Sequence, residues 1–391
     1  MIKGIVLVGA GTVGRAILAA HLDVGVSVHL VDRDANAIRS AADEVNHALH
    51  RSVPVRVSDG FSVGDSLSAV SLDCGKTMIE TPTIVIESIA ERLDVKRAFF
   101  ADAEKLFGDG AILCSNTSTL RIGDIASSLL RPQRFAGMHF FMPVDQRPAV
   151  EIIRGAATDD RTISICAEHA SRLKKEPLIA PDTPGFIVNR LLSPYLNQAM
   201  LLLCHGIAAE RIERAALQYG MPMSPLELID TIGTRTTFDA GRVYWQSFPQ
   251  RIAPAPMLGK MIKRGRMGKA SGGGFYDYVD GERSDAISPE IAVLADTYHR
   301  PIGEVSDIDL VQLLAIPMLI EAAVVHQEGR VTSLASFDTA MRGGLGFSPN
   351  RSWTKWFADR ADGEIVQAID RWKQDFKSMN GDSIRFDFLT A

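Results

Sequence analysis

The chain has 391 residues, enough for two or three domains, with 46% hydrophobic and 23% charged residues, as in an ordinary globular protein. Its net charge of −5 and the lack of any Lys/Arg block argue against nucleic acid as a partner. Cys74, Cys114, Cys166 and Cys204 are widely spaced, without metal-type pairing, so no metal is expected and a reducing cytoplasm is the simplest setting.

Ile5-Val6-Leu7-Val8 reads as a buried strand that runs directly into Gly9-Ala10-Gly11-Thr12-Val13-Gly14, and helical character resumes from Ala16 to Leu22. This order fits a strand better than a signal peptide. Gly9 allows the tight turn, Gly11 lets a pyrophosphate approach the backbone, and Gly14 permits close helix–strand packing. Gly11, Thr12 and Val13 open a helix whose N–H groups and positive dipole end suit phosphate. A second strand, Val26 to Val31, ends at Asp32, about twenty residues on, where an acid accepts ribose hydroxyls and favours NAD over NADP. Arg33 is the counter-argument, since an arginine there would hold a 2′-phosphate. From Asn46 to Pro82, with Gly60, Gly64 and Gly75, little periodicity is legible.

Thr83 to Glu87 resumes as a strand, and Glu91 to Lys96 begins a helix with acids in its first turn. Ala111 to Cys114 is another strand, with Ser115-Asn116-Thr117-Ser118 at its carboxyl end, where open α/β sheets bind ligands. Phe135 to Met138 is a further strand, with His139 just beyond it and Glu151 downstream. The alternation predicts an α/β fold with a Rossmann-type doubly wound sheet over 1–183. Pro181-Asp182-Thr183-Pro184-Gly185 marks the boundary.

An all-helical C-terminal region follows, read as a substrate domain over 184–300 and a second helical domain over 301–391. Leu191 to Leu203 is a broad-faced apolar helix ending at Gly206, with Pro194 at a kink or in a first turn. Pro194, Ala199 and Gly206 recur at the same spacing as Pro317, Ala322 and Gly329, which indicates two related helical units. The apolar run from Leu313 to Val325 carries Pro317 and Glu321 and reads as too short and too polar for a membrane span. Trp353, Trp356 and Trp372 suit a helical packing surface.

These motifs together resemble the L-3-hydroxyacyl-CoA dehydrogenase family, and more closely the dehydrogenase portion of the multifunctional fatty-acid oxidation enzymes. The resemblance rests on GAGTVG, VIESIAERLDVK, SNTSTL, RFAGMHFFMPV, Glu151, DTPGFIVNRLL, MPMSPLELID, RGRMGKASGGGFYDY and GLGFSP. It implies His139 as catalytic base, Glu151 as its paired carboxylate, Ser118 as the hydroxyl on the substrate's oxygen and Asn189 as an active-site amide. It also implies dinucleotide contacts from Asp32, Glu91, Lys96, Asn116 and Ser118, beside the loop residues Gly9, Gly11, Thr12, Val13 and Gly14. The expected reaction is NAD-dependent oxidation of a 3-hydroxyacyl-CoA. The alternatives are a dehydrogenase of a free or unusual 3-hydroxy acid and a catalytically weak scaffold subunit of an oxidation complex.

The chain departs from the family's pattern at Met142, where asparagine is usual, at Ser224 in place of a glycine, and at Ala270 in place of a lysine. The stretch between Asp32 and Ile84 is short and lacks a lysine-rich helical tail. Arg147 is either a solvated loop residue or a partner for a substrate carboxylate. The expected partner is thus a small acyl-CoA or hydroxy-acid molecule. The shorter relatives dimerise through their helical domains, so a second helical unit within one chain predicts a monomer.

Overall fold

Ile5–Val8, β1, has four apolar side chains, all buried, as a strand covered on both faces requires. The computed structural model describes residues 4–48, 55–57, 68–72, 84–329, 331, 333–360, 363–382, 384–386 and 389. Cys74, Gly60, Gly64 and Gly75 lie outside them. The chain divides into two units, 1–183 and 184–391.

In the first unit, α1 (Thr12–Asp23), β2 (Val28–Asp32) and α2 (Ala35–Ala48) follow β1. Two short strands, β3 (Val55–Val57) and β4 (Ser68–Leu72), lie in the stretch where the sequence shows little periodicity. Then come β5 (Ile84–Glu87), α3 (Leu93–Phe107), β6 (Ile112–Ser115), α4 (Ile122–Ala126), β7 (Phe135–Phe140), β8 (Ala149–Arg154), α5 (Asp160–Arg172) and β9 (Glu176–Pro181). The described strands form one sheet in the order β3-β4-β2-β1-β5-β6-β7-β8-β9. From β2 through β7 neighbouring strands are parallel, while β3–β4, β4–β2 and β7–β8 are antiparallel. After β1 the chain moves to β2 on one side and later returns to β5 on the other. The carboxyl ends of β1 and β5 therefore flank a topological switch point.

Buried apolar residues of β1, β2 and β5 pack against α1, α2 and α5 in one core. Within it His21 on α1 and His169 on α5 meet Nε2 to Nε2 at 2.9 Å, both essentially fully buried. His21 Nδ1 lies 2.8 Å from the Ile17 carbonyl. A carbonyl only accepts, so His21 Nδ1 donates, and His21 Nε2 accepts from His169. Two boundaries differ from the sequence reading. Helix α3 starts at Leu93, so Glu91 precedes it and Asp94 is the acid of the first turn. His139 lies inside β7, because β7 continues its pairing with β8 as far as Phe140.

The second unit contains α6 (Val188–Cys204), α7 (Ala209–Tyr219), α8 (Pro225–Ile232), α9 (Thr234–Ser247), α10 (Met257–Lys263), α11 (Pro289–Asp296), α12 (Asp307–Gln327), α13 (Leu334–Thr339), α14 (Trp353–Ala358) and α15 (Glu364–Trp372). It is not wholly helical: β10 (Tyr278–Val279) and β11 (Glu282–Arg283) make a small antiparallel hairpin. Pro194 and Pro317 both lie within helices, α6 and α12, so Pro194 is not a first-turn residue. Gly206 and Gly329 follow those helices with φ of 83° and 66°.

Helix α12 has 21 residues, which makes it long and apolar enough to cross a membrane, contrary to the reading of its apolar run as too short. Between Asp309 and Val325 it is almost entirely buried within the unit, against α6 and α7, as a central core helix is. Its Glu321 meets Arg190 of α6 at 3.0 Å with both side chains buried, and Arg190 lies over the Phe248 ring at 4.6 Å. Asp230 on α8 accepts the Phe275 and Tyr276 N–H groups at 2.7 and 2.9 Å. A Cβ on Gly274 would lie 1.9 Å from that carboxylate, which accounts for a glycine there. Trp353 donates to the Tyr219 hydroxyl, Trp356 packs edge-on to the Tyr219 ring, and Trp372 donates to Asp309, so the trailing tryptophans pack on α7 and α12.

Candidate active site

The turn after β1 is shaped by close backbone approach. Gly9 has φ +108° and its missing Cβ would lie 2.4 Å from the Ser88 carbonyl, so no larger residue fits. A Cβ on Gly14 would meet the Gly9 carbonyl oxygen at 1.9 Å, so this glycine lets α1 close onto the turn itself. Gly11 caps α1 without any side-chain hydrogen bond, nothing approaches its Cβ position, and Gly11 and Thr12 are exposed. The first N–H groups of a 12-residue helix thus open onto an unobstructed surface, as a pyrophosphate needs.

Asp32, at the end of β2, accepts the Ala10 N–H at 2.7 Å and the Asp34 N–H at 2.9 Å, one on each carboxylate oxygen. An ionised carboxylate has lone pairs beyond these two bonds, so Asp32 sits beside the loop with acceptor capacity for ribose hydroxyls. Arg33 is exposed. The glycine loop, the open start of α1 and Asp32 thus lie side by side.

The carboxyl ends of β5 and β6 carry a chain of charged and hydroxyl groups. Glu87, the last residue of β5, is fully buried. It accepts the Ile89 N–H at 2.6 Å, the Ser115 hydroxyl at 2.7 Å and the Lys96 ammonium at 2.5 Å. Lys96, 1% exposed, also lies 3.3 Å from Glu91. Glu91 Oε1 in turn accepts from the Thr117 hydroxyl at 2.6 Å, the Ser118 N–H at 3.0 Å, and the Thr119 N–H and hydroxyl at 3.0 and 2.9 Å. Burial pushes the Glu91 carboxyl up, but Lys96 and these donors outweigh it and hold it below the usual carboxylate range. Glu91 thus holds the turn from Thr117 to Thr119, and Lys96 bridges Glu91 to Glu87. The sequence reading passed over Glu87, although an acid closing the otherwise apolar strand IVIE was the available signal.

Antiparallel pairing sets His139 on β7 opposite Glu151 on β8. His139 Nδ1 lies 2.8 Å from Glu151 Oε2, and the Glu151 side chain is fully buried. The imidazole packs edge-on to Phe141, ring centroids 5.0 Å apart. Asn116 joins the two halves of this arrangement. Its Oδ1 accepts the N–H of Phe140, next to His139, at 2.8 Å, and its own N–H donates to the Glu87 carbonyl at 2.8 Å. Ser118 is half-buried on the turn that Glu91 holds.

The first unit therefore gathers Gly9–Gly14, Asp32, Glu91, Lys96, Asn116, Ser118, His139 and Glu151 along the carboxyl ends of its parallel strands. Asn189 belongs to the second unit. It is half-buried in the first turn of α6, between the buried Val188 and Arg190. Met142 is 44% exposed, Ser224 is buried at the start of α8, and Ala270 is exposed. No group of three or more metal-ligating side chains comes together among the described residues.

Residues 4–183 match the family described as 3-hydroxyacyl-CoA dehydrogenase, NAD binding domain, and residues 185–278 match 3-hydroxyacyl-CoA dehydrogenase, C-terminal domain. The chain is similar to (S)-3-hydroxybutyryl-CoA dehydrogenase from Ralstonia eutropha, with 31% identity over 72% of this chain and 100% of that one, TM-score 0.60. It is also similar to 3-hydroxybutyryl-CoA dehydrogenase from Escherichia coli, with 25% identity over 96% of this chain and 95% of that one, TM-score 0.73. The dehydrogenase part of multifunctional enzyme 1 from C. elegans shares the fold, with 20% identity over 100% of this chain and 89% of that one, TM-score 0.64. With the glycine loop, Asp32 and the family match in agreement, NAD is the cofactor, and the chain belongs to the 3-hydroxyacyl-CoA dehydrogenase family.

Proposed function

We propose that this protein catalyses the reversible oxidation of a 3-hydroxyacyl-CoA to the 3-ketoacyl-CoA. The observation that carries the reading is the 2.8 Å contact of His139 Nδ1 with the buried Glu151 carboxylate. With Glu151 ionised, Nδ1 holds the ring proton and donates it, and Nε2 carries the basic lone pair. His139 then takes the hydroxyl proton of the alcohol at Nε2 and returns it in the reverse direction. Glu151 fixes the tautomer and stabilises the imidazolium as it forms. NAD supplies the acceptor for the hydride that leaves the alcohol carbon. Ser118 stabilises the substrate oxygen as its charge changes, and Asn189 is assigned the same task on its place in the DTPGFIVNRLL motif. Gly9, Gly11, Thr12, Val13 and Gly14 hold the pyrophosphate, and Asp32 the adenosine ribose. Asn116 and Glu91 complete the cofactor side, which Lys96, buried between Glu87 and Glu91, braces from within.

Residues 1–183 serve NAD and 184–300 the substrate. Residues 301–391 form the second helical unit, which replaces a partner subunit and makes the protein a monomer. The Escherichia coli and Ralstonia eutropha relatives are 3-hydroxybutyryl-CoA dehydrogenases, which favours a short acyl chain. The test is consumption of NADH with acetoacetyl-CoA. Turnover on it, and at most trace turnover on free acetoacetate, is expected. Two observations favour the free acid as a second reading: Met142 is exposed where asparagine is usual, and the half-buried Arg147 guanidinium lies 3.5 Å from the Met142 carbonyl, which puts a cation beside that position. Faster turnover of free acetoacetate would establish it.

A further inference from the structure

We infer that Glu87 is a positioning residue that sets the working geometry of the Ser118 turn and of the strand end carrying His139. The inference rests on the roles proposed for Ser118 and His139. Glu87 lies within the VIESIAERLDVK motif, but none of the site roles implied by the resemblance falls on it.

Glu87 has no exposed surface, and a buried carboxylate is costly unless its lone pairs are filled. Here they are filled by groups that lead to the two ends of the site. Along one branch Glu87 holds Lys96, Lys96 meets Glu91, and Glu91 gathers the donors of Thr117, Ser118 and Thr119. Along the other, the Glu87 carboxylate takes the Ser115 hydroxyl and its carbonyl takes the Asn116 N–H, while the Asn116 side chain takes the N–H of Phe140. The ladder pairing of β6 with β7 ends at Ser115 and Gly137, so beyond that point Asn116 continues the connection through its side chain. Glu87 is therefore the common root of both branches, reaching the turn that presents Ser118 through its carboxylate and the backbone beside His139 through its carbonyl and its tie to Ser115. Lys96 is the middle of that frame, a buried cation between two acids, which differs from a cation that reaches out to a cofactor phosphate.

Glu87→Gln keeps the shape but removes the charge that Lys96 pairs with. The experiment is a double-mutant cycle with Ser118→Ala, reading kcat on acetoacetyl-CoA, NADH Kd by fluorescence titration, and thermal melting. Glu87→Gln should lower kcat about tenfold or more while NADH Kd moves less than about threefold, and the loss should be smaller in the Ser118→Ala background, where only the branch toward His139 is left to act. A full further loss on top of Ser118→Ala, or an unchanged kcat in Glu87→Gln, overturns the inference. If Ser118→Ala itself leaves kcat unchanged, the reading of Ser118 fails and the inference falls with it. Should Glu87→Gln not fold, Ser115→Ala removes the hydroxyl tie to Glu87 together with the acceptor of the Thr117 N–H in the Ser118 turn. It is expected to cost about threefold or more in kcat, again less beside Ser118→Ala, and an unchanged or fully additive kcat there equally overturns the inference.

Discussion

Acidification should loosen the first unit through the His21–His169 pair. Both rings are buried and neutral, and burial lowers the His21 pKa to about 4 and that of His169 well below 6.5. The tautomers leave His169 Nδ1 buried without a hydrogen-bond partner, so no acceptor waits for a new N–H there. Between pH 6.5 and about 4 the unfolded chain binds a proton at His21 that the native state refuses. Stability is therefore full above 6.5 and falls as the pH drops toward 4. At about 1.4 kcal/mol per pH unit, His21 alone removes roughly 2 kcal/mol by about pH 5, and His169 adds in the same direction.

All four tryptophans lie in the second unit, so their fluorescence would miss this change. Hydrogen exchange of α1 and α5 peptides, corrected for the intrinsic pH effect on exchange, reads the first unit directly. The comparison is between the natural protein and His21→Leu/His169→Leu, so titrations elsewhere cancel. The natural protein should lose at least roughly 2 kcal/mol of protection between about pH 8 and about pH 5 relative to the variant. An identical pH dependence in the two proteins would refute the reasoning.

Asp32→Ala should lower NADH affinity by about tenfold, because it removes both the ribose acceptor and the hold on the Ala10 N–H, while NADPH affinity changes less. Titration of the two cofactors checks this. Gly274→Ala forces a Cβ against the Asp230 carboxylate and should destabilise the second unit by about 2 kcal/mol or more, seen as an earlier tryptophan-fluorescence transition in urea. Light scattering should give a mass near 42.5 kDa, and a value near twice that would contradict the proposed monomer.

Features set by local chemistry were legible in the sequence. The loop from Gly9 to Gly14 and the acid at Asp32 announce themselves because a turn, a helix start and a strand end lie within one short stretch. The pairing of His139 with Glu151 was legible only through the family's motif, because it depends on the register of two antiparallel strands. Glu91 looked like a helix-start acid because its real partners, Thr117 to Thr119, are distant in sequence. Glu87 and Asp230 were missed for the same reason. Each is an acid in an apolar element, and each makes sense only when the backbone or ammonium it serves has been brought to it. The 21 residues of α12 were misjudged from Leu313 to Val325 alone, since its first turns are closed by a capping box at Ser306 and Asp309.

The central claim is that His139, held by Glu151, moves the substrate's proton. His139→Gln and Glu151→Gln test it most directly when kcat on acetoacetyl-CoA and NADH Kd are measured on the same preparations. The account predicts a loss of about a hundredfold or more in kcat for both, with NADH affinity nearly unchanged, since the dinucleotide loop lies on β1 and not on β7. Near-normal turnover in His139→Gln, or a loss explained by weakened NADH binding, would contradict it.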